Sequence, residues 1–372
     1  MDNSYCSCGF FGGIILKNVL NKYQKKTRIY PQIPNLKNPT IDNLIKYYTD
    51  SGAYNGGRLS EACKIYEKMI EEDATICLTL SGALTPTGIG GFISELIKNG
   101  LIDFIISTGA NLYHDIHFAL DLPVYQGDFR VDDKELLKAK IVRIYDIFIP
   151  EETLIKTDSF IQKIIKKTTT NKPVSTAYLH NLIGKELLIK SKKSNYSILA
   201  IAAQNNIPIF TPSPGDSSIG MNLAKLKLNN KGITIDTDLD ILESTAIINQ
   251  SRRTGAIELG GGAPKNFYMQ TQPMLSQIMN INKGGHNYFI QITADAPHWG
   301  GLSGATPSEA ISWGKIKPNQ LKNDVVVYCD VTIAAPILFS YILSKNIKRG
   351  KKNLYSKRED YLKKFEEYHN KT

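Results

Sequence analysis

Residues 74–108 read ATICLTLSGALTPTGIGGFISELIKNGLIDFIIST, and this stretch decides the fold. ATICLTL (74–80) is a short apolar run of strand length. SGALTPTGIGG follows as a glycine-rich loop, then an amphipathic helical pattern, then the apolar run LIDFIIST (101–108). A strand, a loop, a helix and a second strand in that order form the unit of a parallel sheet. The same alternation returns in IPIFTPS, TGAIELGGG, NYFIQITADAP and DVVVYCDV, each a strand-like run ending in Gly, Ser, Thr, Asp or Pro. Helices are expected over 237–251, with Thr237 or Asp238 as N-cap, and over APILFSYILS (335–344). Residues 151–195, rich in Lys, Thr and Ser, read as helical pieces joined by loops. The expected fold is α/β: a Rossmann-like, mostly parallel sheet flanked by helices in a single large domain.

The polar and glycine-rich clusters all follow strand-like runs: SGALTPTG, STGAN, TPSPGDSSIG, LGGGAPKN, TADAPHWGGLSGATP and CDVT. In an open parallel sheet such loops gather at the carboxyl edge, where these folds bind ligands. Glycines let the backbone approach a phosphate, and a following helix start presents free N–H groups to it. Neither SGALTPTGIGG nor LGGGAPKN keeps the G-x-G-x-x-G order of a dinucleotide fingerprint. Three consecutive glycines, Gly260 to Gly262, still imply a close approach.

Composition excludes several classes. The chain has 372 residues, 42% apolar and 22% charged, which is globular usage. No run has the length of a membrane span. The N-terminal MDNSYCSCGFFGGIILKNVL carries Asp2 and no Lys or Arg ahead of its apolar patch, so it reads as a cytoplasmic start rather than a signal peptide. Cys6 and Cys8 form a C-x-C pair while Cys63, Cys77 and Cys329 are scattered; no zinc pattern or disulfide framework is present, and no metal is expected. The net charge of +10 concentrates in residues 162–172 and 345–365 without a nucleic-acid-binding motif, and reads as a solvated basic face.

The sharpest chemistry lies in EAISWGKIKP (309–318). A lysine attacks carbonyls or imines only as the neutral amine, which burial or a neighbouring cation arranges. Trp313 offers a π face on the same side as Lys315 if the segment is extended, and Glu309 offers a carboxylate to an ammonium group. An exposed lysine at a helix end, beside a core tryptophan, is the alternative on spacing alone.

SEAISWGKI (308–316), ELGGGAPKN (258–266), IPIFTPSPGDSSIG (207–220) and GLSGATPSEA (301–310) together resemble the deoxyhypusine synthase family, in its order and approximate spacing. The resemblance covers about residues 50–345 and is to the bacterial deoxyhypusine synthase-like branch, some members of which make homospermidine. It implies three segments: an N-terminal arm (1–50), a catalytic domain (51–345) and a basic helical tail (346–372). It also implies a homotetramer with shared active sites, a polyamine substrate and a recycling NAD cofactor. NAD takes a hydride from the polyamine, Lys315 captures the aminobutyl group as a Schiff base, an acceptor amine displaces it, and the hydride is returned.

Carried over by position, the resemblance places Ser81, Thr108, Gly109, Asp216, Gly261, Thr293, Ala294, Ser303, Asp330 and Val331 at the cofactor. Glu309, Trp313 and Lys315 match the polyamine-binding and nucleophilic residues. The departures fall around them. Lys265 is kept, but Asn266 replaces a histidine, and an amide is no base near neutral pH. Tyr113 and His114 replace a pair of glutamates, and the loop APHWGGL (296–302) lacks expected acidic residues, carrying Trp299 and Leu302 instead. The pocket is thus expected to be less acidic and more aromatic, with His114 or His298 as replacement proton carrier. The acceptor expected is a small amine. A lysine of a translation factor, or an inactive nucleotide-binding homologue, are the alternatives.

Overall fold

A computed structural model describes residues 30–31, 39–229 and 232–369. Six strands form one fully parallel sheet: β1 (Thr75–Leu80), β2 (Phe104–Ser107), β6 (Ile209–Phe210), β7 (Thr254–Leu259), β8 (Tyr288–Thr293) and β9 (Asp324–Tyr328). Their order is β6-β2-β1-β7-β8-β9. Five of them, β1, β2, β6, β7 and β8, are buried along their whole length. That is why they read as continuous apolar runs rather than as alternating ones.

From β1 the chain steps outward through β2 to β6, then returns to the far side of β1 and steps outward again through β7, β8 and β9. Strand order therefore reverses between β1 and β7. The helix after β1, Gly90–Lys98, buries Ile93, Leu96 and Ile97 against the face that carries Leu78 and Leu80. The helix after β7, Gly262–Pro273, buries Tyr268 and Met269 against the opposite face, with Cys77 and Ala256. The loops that open these two units stand on either side of the β1/β7 boundary, the switch point at which open α/β sheets take ligands.

Local chemistry sets the ends of the elements. The helix Thr237–Gln250 is capped by Asp236, one residue ahead of Thr237 and two ahead of Asp238, the expected caps; its Oδ1 accepts from the N–H groups of Asp238 at 3.0 Å and Leu239 at 3.1 Å. The helix expected at 335–344 starts at Val331, because Asp330 caps it and Pro336 lies inside its second turn. Residues 151–195 hold two helices, Glu151–Lys167 and Thr176–Lys190. A three-stranded antiparallel sheet of β3 (Tyr125–Gln126), β4 (Ile141–Ile144) and β5 (Ile147–Pro150), ordered β3-β5-β4, was not expected. Its hairpin turns at Tyr145, in left-handed backbone at φ 52°, so the turn carries no glycine signal in the sequence.

Of the expected N-terminal arm, residues 1–29 and 32–38, and with them Cys6 and Cys8, lie outside the described residues; a helix begins at Ile41. The basic C-terminal segment forms the helix Leu354–His369, which buries Leu354 and Phe365 in the core. Arg358 also pairs there with the buried Glu243 at 3.3 Å.

Candidate active site

The six loops predicted to share an edge do so, in the order set by the strands. Ser81, after β1, meets Gly261, after β7, across the switch point: the Ser81 hydroxyl donates to the Gly261 carbonyl and accepts from its N–H at 3.0 Å. Thr108, after β2, donates to the carbonyl of Gly82 at 2.6 Å and caps the helix Gly109–Ala119. Asn111 in that helix holds the β1 loop through the N–H groups of Leu84 (2.6 Å) and Thr85 (3.1 Å).

The triple glycine has a steric cause. Gly260 (φ 78°) and Gly262 (φ 57°) occupy left-handed backbone. Gly261 is extended, but a Cβ there would sit 2.4 Å from the Cα of Ser303. Ser303 Oγ in turn accepts from the Gly262 N–H at 3.0 Å. Thr293 is buried at the end of β8, Ala294 is exposed beside it, and Asp330 and Val331 follow β9. Asp216 is exposed on the loop after β6.

Toward the β8 side lies a cleft lined by Lys265, Asn266, Phe289, Glu309, Trp313 and Lys315. EAISWGKIKP is not extended. The helix Pro307–Ser312, capped by Thr306, ends at Trp313, and Gly314 turns the chain with φ 65°. That turn brings the Lys315 ammonium over the Trp313 ring, 5.5 Å from its centroid. Lys315 Nζ also donates to Asn266 Oδ1 at 3.2 Å. Partial burial lowers the Lys315 pKa from its ordinary value, while Glu309 and then Glu258 pull it back up. Neither of the bland expectations holds for this pair: the lysine is half-buried and the tryptophan is 56% exposed.

Lys265 is buried, its ammonium held by Gln291 Oε1 (2.9 Å) and the Ala305 carbonyl (2.7 Å), over the Phe289 ring. The Gln291 amide donates to the carbonyls of Gly260 (2.8 Å) and Ser303 (2.7 Å), so one side chain ties the glycine loop, the Ser303 loop and Lys265 together. Beside Gln291 in register stands Glu258, fully buried. Sequence reasoning passed over both. The available signal was a Glu and a Gln inside runs otherwise fit for burial, TGAIEL and YFIQIT.

His114 is not among the residues lining the Lys315 cleft. It lies on the helix after β2, with Nδ1 3.1 Å from His117 Nε2, and His117 Nδ1 reaches Thr157 Oγ1 at 2.8 Å. Burial lowers the His114 pKa to about 4; burial and then the His114 charge lower that of His117 to about 3. Tyr113 donates to Asp158 at 3.0 Å. His298 is exposed, edge-on to Trp299.

Among the described residues no group of three or more His, Cys, Asp and Glu side chains could hold a metal ion, and no helix is long and apolar enough to cross a membrane.

Comparison with known proteins bears on this geometry. A model of the deoxyhypusine synthase family matches residues 43–342. The chain is 44% identical over 335 residues to a deoxyhypusine synthase-like protein of Nostoc punctiforme, spanning 88% of this chain and 85% of that protein. It is 42% identical over 343 residues to a protein of the same description from Thermosynechococcus vestitus, spanning 89% and 85%. Among solved structures, the crystal structure of a candidate deoxyhypusine synthase from Entamoeba histolytica superposes with a TM-score of 0.56 at 18% identity, covering 87% of this chain and 99% of that one. That likeness concerns the fold.

Proposed function

The chain belongs to the deoxyhypusine synthase family, a family of transferases, and from that premise we propose that it moves a 4-aminobutyl group from a polyamine, through an imine on Lys315, to a small amine. Putrescine as acceptor gives homospermidine as product. The observation that carries this reading is the Lys315 amine, half-buried between an indole face and the Asn266 amide.

The residues around the switch point fit NAD. The left-handed Gly82 and Gly262 have nothing within 4 Å of where a Cβ would stand, which leaves room for a pyrophosphate against the backbone. The helices that start at Gly109 and Gly262 turn their N-terminal, positive dipole ends to that edge, and the exposed Asp216 carboxylate suits a ribose hydroxyl. Ser81, Thr108, Gly109, Asp216, Gly261, Thr293, Ala294, Ser303, Asp330 and Val331 would hold the cofactor. NAD supplies hydride abstraction from the carbon beside an amine, and the return of that hydride.

This chain's own groups do the rest. Glu309 draws the cationic end of an aminobutyl chain toward the cleft mouth, and Trp313 covers its methylenes. Lys315, with proton affinity reduced by burial, offers a lone pair to the imine carbon. Asn266 orients that amine through its carbonyl oxygen but takes no proton. A homotetramer with shared sites belongs to the same reading, supported by Trp299 and Leu302 exposed on the rim.

Incubation with NAD, spermidine and putrescine, followed by separation of the amines, is expected to yield homospermidine and diaminopropane. No transfer with any pair of polyamines overturns the reading. Labelling of a translation-factor lysine instead of free amine redirects it to a protein acceptor.

A further inference from the structure

The face of the sheet beneath the helix Gly262–Pro273 is apolar through Cys77, Phe104, Ala256 and Phe289. At its carboxyl end the character changes within one register row: Thr79 of β1 stands beside Glu258 of β7, and Glu258 beside Gln291 of β8. All three are buried. Gln291 spends its hydrogen bonds on Lys265 and the glycine rim. Glu258 spends none, and neither carboxylate oxygen has a hydrogen-bond partner.

A sealed, unpartnered carboxylate costs several kcal/mol unless a charge nearby compensates it. Two cations lie within its field, Lys265 on the covering helix and Lys315 on the cleft wall. Lys265 needs an anion for the same reason, because both of its hydrogen-bond acceptors, Gln291 and the Ala305 carbonyl, are neutral. The other titratable groups facing Glu258 are Cys77 on β1 and Tyr268 on the covering helix, both pushed up by burial and neutral. Glu309 acts on the same two lysines from the exposed side.

We propose that Glu258 is a positioning residue for the Lys315 amine: a carboxylate sealed beneath the cleft that serves as the shared counter-charge of Lys265 and Lys315, and so sets how much of Lys315 is free amine. The inference rests on the reading of Lys315 as the nucleophile. Ionised, Glu258 raises the proton affinity of both lysines; carrying a proton, it releases them. Burial lifts Glu258 above the ordinary carboxylate range against the pull of the two lysines, and lowers each lysine against the pull of Glu258. Glu258 and Lys265 titrate as a pair, with Lys315 in the field of Glu258. This places an acidic group in the site from below, where the loops above had lost theirs.

The test reads amine protonation directly. Reductive methylation of the full-length protein with formaldehyde and cyanoborohydride is followed against pH, with peptide mass spectrometry of Lys315 and of the exposed Lys138 as internal reference. Glu258→Gln and Glu258→Leu remove the charge, the latter without burying a polar atom; Glu258→Asp keeps it. Both charge-removing variants are expected to move the Lys315 profile to lower pH by at least about half a unit, roughly threefold in labelling rate on the rising limb. Glu258→Asp stays with the wild type. Profiles that superpose overturn the inference, as does a shift in Glu258→Asp equal to that in Glu258→Gln. Failure of both neutral variants to fold while Glu258→Asp folds also overturns it, because the role is then structural. A chain that shows the shift yet transfers no aminobutyl group refutes the function and keeps the inference; transfer without the shift does the opposite.

Discussion

Two polar clusters sit above the same sheet edge, one on each side of the β1/β7 reversal, and they are built on opposite principles. On the β2 side, His114, His117, Thr157, Tyr113, Asp158 and Asn222 pair off among themselves, with His117 sealed between His114 and Thr157. On the β8 side, Glu258 has no partner, Lys265 has only neutral acceptors, and Lys315 has one amide and a ring face. A cluster that satisfies itself stabilises a fold; a cluster that leaves charge uncompensated keeps free energy in reserve for a substrate. Of the positions matched to the family, Lys265, Glu309, Trp313 and Lys315 are kept on the second side, where Asn266 and the loop 296–302 depart, while on the first side Tyr113 and His114 replace a glutamate pair.

The largest expected effect comes from removing the amine. Lys315→Met is expected to reduce amine transfer at least ~10³-fold while the melting temperature stays within a few degrees of the wild type. Lys315→Arg should do the same, since a guanidinium keeps the charge but has no lone pair near neutral pH. Retained transfer in either variant would erase the contrast between the two clusters, because the unsatisfied side would then hold no chemistry.

The second effect runs the other way, through stability. His117→Ala opens a cavity and strands both His114 and Thr157, at a cost of about 2–4 kcal/mol measured by denaturant unfolding. Transfer per folded molecule is expected to be unchanged. The pair also fixes a pH dependence. Burial depresses both imidazole pKa values, so on acidification the unfolded chain takes up protons first. Stability present above about pH 6.5 is therefore lost as the pH falls toward about 4 for His114 and about 3 for His117. Each unit of separation is worth about 1.4 kcal/mol. His117→Gln should flatten that acid limb in a melting-temperature series. An unchanged limb, together with impaired transfer, would move this cluster into the catalytic machinery.

Much of this was legible before any coordinates. The alternation of apolar runs with glycine-rich loops gave the parallel sheet, and the position of each loop after a strand gave the edge on which Ser81, Gly261 and Ser303 meet. What escaped did so for identifiable reasons. A glutamate in TGAIEL does not break a strand pattern, and its significance lies in its register neighbour Gln291, 33 positions further on. The spacing of His114 and His117 puts them on one helix face, but that helix had no place in the sequence reading, so their mutual pairing was invisible. From spacing, Trp313 and Lys315 share a side only if the segment is extended, and it is not. They meet because Gly314 adopts a left-handed turn that only the folded backbone reveals.

The smallest effect sharpens the comparison most, because it separates a π face from mere cover. Trp313 is too exposed to act as core, so its contribution to Lys315 is electrostatic contact with a cation at 5.5 Å. Trp313→Leu keeps an apolar surface and removes the quadrupole; Trp313→Phe keeps a weaker one. A cation–π contact at an exposed site is worth about 0.5–1 kcal/mol, so Trp313→Leu should raise KM for the donor amine about two- to fivefold and leave stability untouched. Trp313→Phe should fall between it and the wild type. Without its ring the Lys315 ammonium is also less stabilised, so its methylation profile shifts to lower pH, in the same direction as removal of Glu258. Equal KM values for Trp313→Leu and Trp313→Phe would reduce the indole to packing, and would leave Glu309 alone to select a cationic chain at the mouth of the cleft.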